Sequence, residues 1–230
     1  MSEPSFYENH RKAFGFSLIE VVLAIGIFLI TVLALVGLLG PTLQSVDEVE
    51  KTDEIASVVN TVNAFLQNSP DIAGTSGNSK FDIIYNAVAE ENYATVFVFR
   101  EFIGDTENVR LVVGFQPGES IRDVSFGADA LIDQTRFEDA AGTIYRVILT
   151  PSSVIPTPTA TPSVYRSLNR QSDTGTYELK AALADYLEGY FAMEVRIFPE
   201  DPGPTFNSDR DLDEFNEVEP LFTYNTAVVR

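Results

Sequence analysis

Cysteine is absent from the chain, and histidine occurs only once, as His10. The lack of cysteine excludes disulfide bonds, thiolate zinc sites and cysteine nucleophiles. His10 precedes a long apolar run, so everything after that run is without imidazole, the commonest general base and the commonest metal ligand of proteins. These absences argue against an enzyme, and we expect no catalytic residues and no cofactor apart from the calcium considered below.

Basic residues are also scarce. Lys and Arg number 15 against 34 Asp and Glu, which gives a formal net charge of −19. A chain of this charge is repelled by nucleic-acid phosphates and by anionic lipid headgroups. We therefore expect no nucleic acid among its partners.

Apolar residues, by contrast, are concentrated near the start of the chain. Within residues 16–39 only Ser17, Glu20 and Thr31 are clearly polar. A helix over this run is about 36 Å long and can cross a hydrocarbon core of about 30 Å. The run is longer than the apolar core of a secretory signal peptide, and Gly40 and Pro41 follow it instead of a small-residue cleavage site. The run therefore predicts a membrane-spanning helix.

The charges on either side of the run indicate its orientation. His10, Arg11 and Lys12 precede it, and five acidic residues lie between residues 47 and 54. Basic residues are enriched on the cytoplasmic side of membrane spans. The chain is therefore expected to cross the inner membrane once, with a cytoplasmic N-terminus and an extracytoplasmic domain.

Glu20 is the anomaly of the apolar run. An ionisable group inside a membrane helix costs a few kcal/mol near the bilayer centre and less toward the interface, and such groups are usually retained for a partner or a function. A partner that neutralises Glu20 is therefore expected.

Residues 15–25, Gly-Phe-Ser-Leu-Ile-Glu-Val-Val-Leu-Ala-Ile, resemble the processing and assembly motif of type IV prepilins and type II secretion pseudopilins. The resemblance implies that a prepilin peptidase cuts after Gly15 and methylates the new N-terminal residue, Phe16. It also implies that Glu20 pairs with the N-terminal amine of a neighbouring pilin or pseudopilin subunit. A buried carboxylate and a buried ammonium are each costly alone but tolerable when they are hydrogen-bonded to each other.

The resemblance covers only the first quarter of the chain, and it leaves pilus, secretion pseudopilus and uptake machinery open. The size of the domain and the absence of cysteine favour a minor subunit. In overall organisation the chain also resembles the prepilin-like Verru_Chthon cassette proteins, although no single motif carries that likeness. The alternative is a single-pass membrane protein with an uncleaved signal anchor, whose extracytoplasmic domain binds a ligand or acts as an enzyme.

The remaining sequence predicts an α+β fold, in which the long N-terminal helix packs on a mainly antiparallel sheet. An amphipathic helix is expected to continue the apolar run, with a kink or unwound stretch at Gly40 and Pro41, and shorter helices are expected over residues 81–91 and 177–187. Runs rich in β-branched and aromatic residues predict strands at 95–103, 109–116, 143–150, 191–198 and 221–229. The resulting divisions are a leader at 1–15, a hydrophobic helix at 16–40, an amphipathic helix at 41–68 and a pilin-like domain at 69–230.

An acidic cluster near the end of the chain raises the question of calcium. Asp209, Asp211 and Asp213 alternate as the first carboxylates of a helix-loop-helix calcium site do. Glu214 then occupies the position of the required glycine, and Pro220 falls where the bidentate acid belongs. A solvated acidic loop is therefore the favoured interpretation. The alternative is a calcium site, for which these three aspartates are the candidate ligands.

The N-terminus of the mature protein distinguishes the two functional interpretations. In a host that has a prepilin peptidase, we expect mass spectrometry to find a chain that begins at Phe16 with a methylated amine. A mature chain that still begins at Met1 would instead match the uncleaved signal anchor.

Overall fold

The structure, a computed structural model, describes residues 17–68, 72, 79–104, 108–116, 131–132, 134–156, 165–204 and 206–230. The chain divides into two compact units, Met1–Asp53 and Glu54–Arg230. Helix α1 (Leu18–Asn68) has 51 residues, and its last part, from Glu54 onward, belongs to the second unit.

Helix α1 begins directly after Ser17, whose carbonyl accepts hydrogen bonds from the backbone N–H groups of Glu20 and Val21, at 3.0 and 3.2 Å. Its stretch Leu18–Gly40, 23 residues, is long and apolar enough to cross a membrane by length and composition. The helix then continues through Pro41, so the unwinding expected there is not observed. A proline removes one backbone hydrogen bond of a helix, and here the residues on both sides of it remain helical.

Five antiparallel strands form one curled sheet in the second unit, in the order β2-β1-β3-β4-β5. Each lies within a few residues of a predicted strand, and the α+β fold is confirmed. In the central strands, Val147 of β3 stands opposite Val96 of β1 and Ile197 of β4. The strands are β1 (Ala94–Phe102), β2 (Val109–Phe115), β3 (Ile144–Pro151), β4 (Tyr190–Glu200) and β5 (Phe222–Val229).

One face of the sheet packs on helices, and we call it the helix-covered face. A hydrophobic cluster is buried between this face and the helices, and the last turns of α1 contribute Val58, Val62, Phe65 and Leu66 to it. These positions follow the spacing of three and four residues that places side chains on one side of a helix. The sheet contributes Val96, Val98, Phe115, Val147, Leu149, Phe191, Met193, Val195, Ile197 and Val228.

Helix α2 (Lys80–Glu91) covers the rest of this face and matches the predicted helix over 81–91. Its start is fixed by a capping box. The Ser79 side chain accepts from the N–H of Asp82 at 3.2 Å, and the Asp82 carboxylate accepts from the N–H of Ser79 at 3.0 Å. Phe81, Ile84 and Val88, at helical spacing, are then buried in the core.

The opposite face is covered by irregular segments, and we call it the loop-covered face. Two 3-10 helices, Gln134–Asp139 and Leu212–Phe215, provide apolar side chains to it. Phe137 packs against Phe97 and Phe99 of β1 in one cluster. In a second cluster, Leu212 and Phe215 pack with Ile148 and Phe198. The sheet is therefore buried on both faces, and its central strands are apolar along most of their length.

The predicted helix over 177–187 is wrong, since only Leu183–Asp185 forms a short 3-10 turn there. Apart from this turn, backbone N–H groups of the segment bond to groups outside it. Leu179 N–H donates to the Asn92 side chain at 2.7 Å, and Lys180 N–H donates to the Tyr165 carbonyl at 2.9 Å. The leucine spacing of four is therefore not a helical stripe, and Leu187 is exposed.

A pair of leucines in α1 tests the role of its last turns. Leu66 is 1% exposed and Leu43 is 63% exposed. We expect Leu66→Ala to lower the free energy of unfolding by about 2–5 kcal/mol, because it leaves a cavity in the core. Urea denaturation in non-ionic detergent, followed by tyrosine circular dichroism, measures the change.

The matched control is Leu43→Ala, which should leave the unfolding of the domain within about 0.5 kcal/mol. Equal effects of the two substitutions would contradict the packing of the last turns of α1 on the sheet.

Candidate functional site: an apolar helix with one carboxylate

Two of the three residues predicted for processing and assembly, Gly15 and Phe16, lie outside the described residues. The third, Glu20, stands in the first turn of α1. Their predicted roles stay predictions.

The surface around Glu20 is apolar and exposed on every side of the helix. None of the Leu18–Gly40 stretch is buried inside the structure. Large side chains such as Leu18, Phe28 and Leu33 are each more than half exposed. An apolar surface of this extent is typical of a membrane span or of an interface with other proteins.

The two polar side chains within α1's apolar stretch differ in their partners. The Thr31 hydroxyl donates to the carbonyl of Ile27 at 2.9 Å, so its polar group is satisfied inside the helix. Among the residues that the structure describes, no group pairs with the Glu20 carboxylate. A helix with its own backbone bonds satisfied and one carboxylate left over can bind a cationic group from outside the chain.

The calcium candidates lie in the segment between β4 and β5. Asp209 accepts hydrogen bonds from Ser208 at 3.1 Å and from Gln116 at 3.3 Å, and Asp211 precedes the 3-10 helix Leu212–Phe215, in which Asp213 lies. Within the described residues, the structure gathers no group of three or more acidic or histidine side chains able to hold a metal ion. The three aspartates are therefore not brought together as ligands.

Two arginines, one of them on β3, form ion pairs and hydrogen bonds with this acidic segment and with Glu200 beside it. Arg146 of β3 is 0% exposed, and its guanidinium reaches Glu200 at 3.0 Å. The same guanidinium donates to the carbonyls of Ser208 at 2.7 Å and Asn207 at 2.5 Å. Arg210 bonds to Glu200 at 2.8 Å and to Glu214 at 3.0 Å. The segment is thus tied to the sheet by guanidinium groups.

Aromatic rings enclose the guanidinium of Arg146. Its central carbon lies 4.8 Å from the ring centre of Phe97, 5.2 Å from that of Phe215 and 5.7 Å from that of Phe206. Burial lowers the pKa of Arg146 from its usual range, while the hydrogen bond to Glu200 opposes this shift. The charge is retained because carboxylate, carbonyl groups and ring faces replace water around it.

Sequence reasoning did not single out Arg146. It lies in the run Ile-Tyr-Arg-Val-Ile, where alternation places it on the face opposite that of Tyr145 and Val147. A lone arginine in a strand is normally predicted to face solvent. That prediction is wrong here because residues 206–215, distant in sequence, fold over Arg146. The sequence around Arg146 does not indicate that another segment covers it.

A small cleft of about 200 Å³ lies on the helix-covered face, lined by Glu54 and Thr61 of α1 and by Arg100, Leu111 and Tyr145 of the sheet, among others. Burial raises the pKa of Tyr145, and its hydrogen bond with Glu54 raises it further. The tyrosine hydroxyl therefore stays protonated at neutral pH and is not prepared to act as a base.

Comparison with protein-family models, with curated proteins and with solved structures gives no match to this chain. The structure shows an architecture consistent with that of pilins, a long apolar N-terminal helix followed by an antiparallel sheet.

The role of Arg146 is open to a direct test. We expect Arg146→Met to lower the free energy of unfolding by about 3–5 kcal/mol, because it removes one partner of a buried ion pair and leaves two carbonyl groups without a donor. Urea denaturation of the full chain in non-ionic detergent measures the loss.

Arg100→Met is the matched control, since Arg100 is exposed on the same sheet. It should change stability by about 0.5 kcal/mol or less. A comparable small effect of Arg146→Met would show that the guanidinium does not hold the acidic segment.

Proposed function

We propose that the chain is a type IV pilin-like or pseudopilin structural subunit, processed by a prepilin peptidase and assembled through its N-terminal helix into a pilus or a secretion pseudopilus. The observation that carries the proposal is Glu20, a carboxylate to which the described part of the chain brings no partner, within an exposed apolar helix. The motif of residues 15–25 supports the same conclusion.

Lipid alone satisfies only part of this surface. Hydrocarbon tails can cover the apolar side chains of residues 18–40, but they offer no hydrogen-bond donor or positive charge to Glu20. A bundle of identical or related helices covers the same side chains and can also bring a cation to the carboxylate. Assembly with other subunits therefore removes a cost that the isolated helix in lipid keeps.

The cation that fits is an α-amine. Cleavage after Gly15 creates one at Phe16, four residues before Glu20 in the sequence. Pairing of this amine with Glu20 of a neighbour makes every subunit both donor and acceptor, and the contact is head-to-tail. Head-to-tail contacts that do not close into a ring build helical filaments.

The last part of the same helix supports a structural role for the domain. Val58, Val62, Phe65 and Leu66 of α1 lie in the core of the second unit, so the domain is carried by the helix that assembles. Before assembly, the apolar stretch anchors the subunit in the inner membrane, with the domain on the extracytoplasmic side.

Substitution of Glu20 tests the proposal. We expect Glu20→Leu to be processed to Phe16 normally but to enter filaments at least about tenfold less than the unmodified chain, because the neighbour's amine is left without its carboxylate. Quantitative mass spectrometry of sheared or purified filaments, alongside the membrane fraction, gives the ratio.

Thr31→Leu is the control, since it also replaces a polar side chain of the apolar stretch by leucine, yet the Thr31 hydroxyl is already satisfied within the helix. It should enter filaments at the normal level. Normal incorporation of Glu20→Leu would rule out the pairing.

A further inference from the structure

Arg196 has two buried guanidinium nitrogens without a hydrogen-bond acceptor among the described residues. Arg196 lies on β4, on the loop-covered face, between Ile148 of β3 and Thr223 of β5. Its Nε and Nη2 atoms are enclosed, and no group in the described part of the chain accepts a hydrogen bond from them. A buried N–H without a partner is costly, and more so on a charged group.

The same edge of the guanidinium is filled by a carboxylate in two other arginines. Nε and Nη2 of Arg136 donate to Glu101, at 3.3 and 3.0 Å. Nε and Nη2 of Arg146 lie 3.1 and 3.0 Å from one oxygen of Glu200. This edge presents two parallel N–H groups that match the oxygens of a carboxylate or a phosphate.

The acidic residue nearest in sequence on this face is already engaged. Glu194 stands two residues before Arg196, so both side chains leave the same side of β4. Both of its oxygens accept from Arg170, at 3.1 and 2.5 Å. Glu194 therefore lends electrostatic support to Arg196 but offers it no hydrogen bond.

Two further arginines lie against the ring of Tyr177. The guanidinium carbons of Arg166 and Arg170 lie 4.3 and 4.8 Å from the ring centre of Tyr177. The Nε atom of Arg166 is also enclosed without an acceptor within the described residues. Arg170 pairs with Glu194, and the charge of Glu194 also acts on Arg196.

Burial lowers the pKa of Arg196 from its usual range, the charge of Glu194 opposes this shift, and the charge of Arg170 adds to it. The ordinary pKa of arginine is so high that the group stays charged at neutral pH. The enclosed charge therefore favours an anion over a neutral ligand such as water.

We propose that Arg196 binds a small oxyanion, a carboxylate or a phosphate, through its Nε and Nη2 atoms on the loop-covered face of the sheet. Arg196 is only partly buried as a whole residue. Arg170 adds positive potential beside it. The site is independent of Glu20 and of filament assembly.

Thermal unfolding of the full chain in non-ionic detergent tests the site. Sodium phosphate and sodium acetate are titrated separately at constant ionic strength, with sodium chloride as the balancing salt. We expect at least one of the two anions to raise Tm in a saturable way by roughly 2–4 °C, the shift that a domain of this size shows when ligand is present at several times its Kd. The anion that acts identifies the ligand class.

Arg196→Gln should abolish the anion-dependent shift, and Arg196→Lys, which keeps the charge but loses the parallel N–H pair, should reduce it at least about twofold. Arg100→Gln removes the same charge elsewhere on the sheet and should leave the shift intact. No shift with either anion, or an equal shift in the unmodified chain and in both Arg196 variants, would overturn the proposal. If Arg196→Gln does not fold, Arg196→Lys against Arg100→Gln gives the same decision.

Discussion

The contact between the last turns of α1 and the helix-covered face is the one on which the domain depends. An antiparallel sheet with an apolar face needs a covering layer, and Val58, Val62, Phe65 and Leu66 supply much of it. A hydrogen bond of 2.9 Å between Asn63 and Thr226, and a ring contact of 5.3 Å between Phe65 and Phe115, fix the helix at both outer strands. Helix α2 covers the rest of this face, and irregular segments cover the opposite face of the sheet.

The fold was largely predictable, because its elements follow local rules. β-branched and aromatic runs located all five strands, and spacings of three and four residues located α2 and the end of α1. The failure at 177–187 has a different origin. Its leucines satisfy a helical spacing, but Asn92 and Tyr165 bind its backbone from outside, and contacts of that kind leave no mark in the local sequence.

The candidate site was predictable only in part. Glu20 was found because a carboxylate contradicts its apolar surroundings, and the structure places it in the first turn of α1. The acidic segment was harder to interpret, because the alternating aspartates resemble metal ligands while the groups that balance the segment, Arg146 and Arg210, come from elsewhere in the sequence. Pairing between buried arginines and glutamates that are distant in sequence cannot be predicted from the local sequence.

Within the described residues, each outer strand of the sheet, β2 and β5, has a neighbouring strand on one side only, and a single bridge joins Phe115 of β2 to Leu131 on the other side. An unpaired strand edge is a template on which another chain can add, and this is a common start of aggregation. The excess of acidic residues sets a long-range repulsion between copies that opposes such pairing and that salt screens over about 10 Å at 0.1 M ionic strength. The high charge therefore opposes association of the domains through their strand edges at low ionic strength.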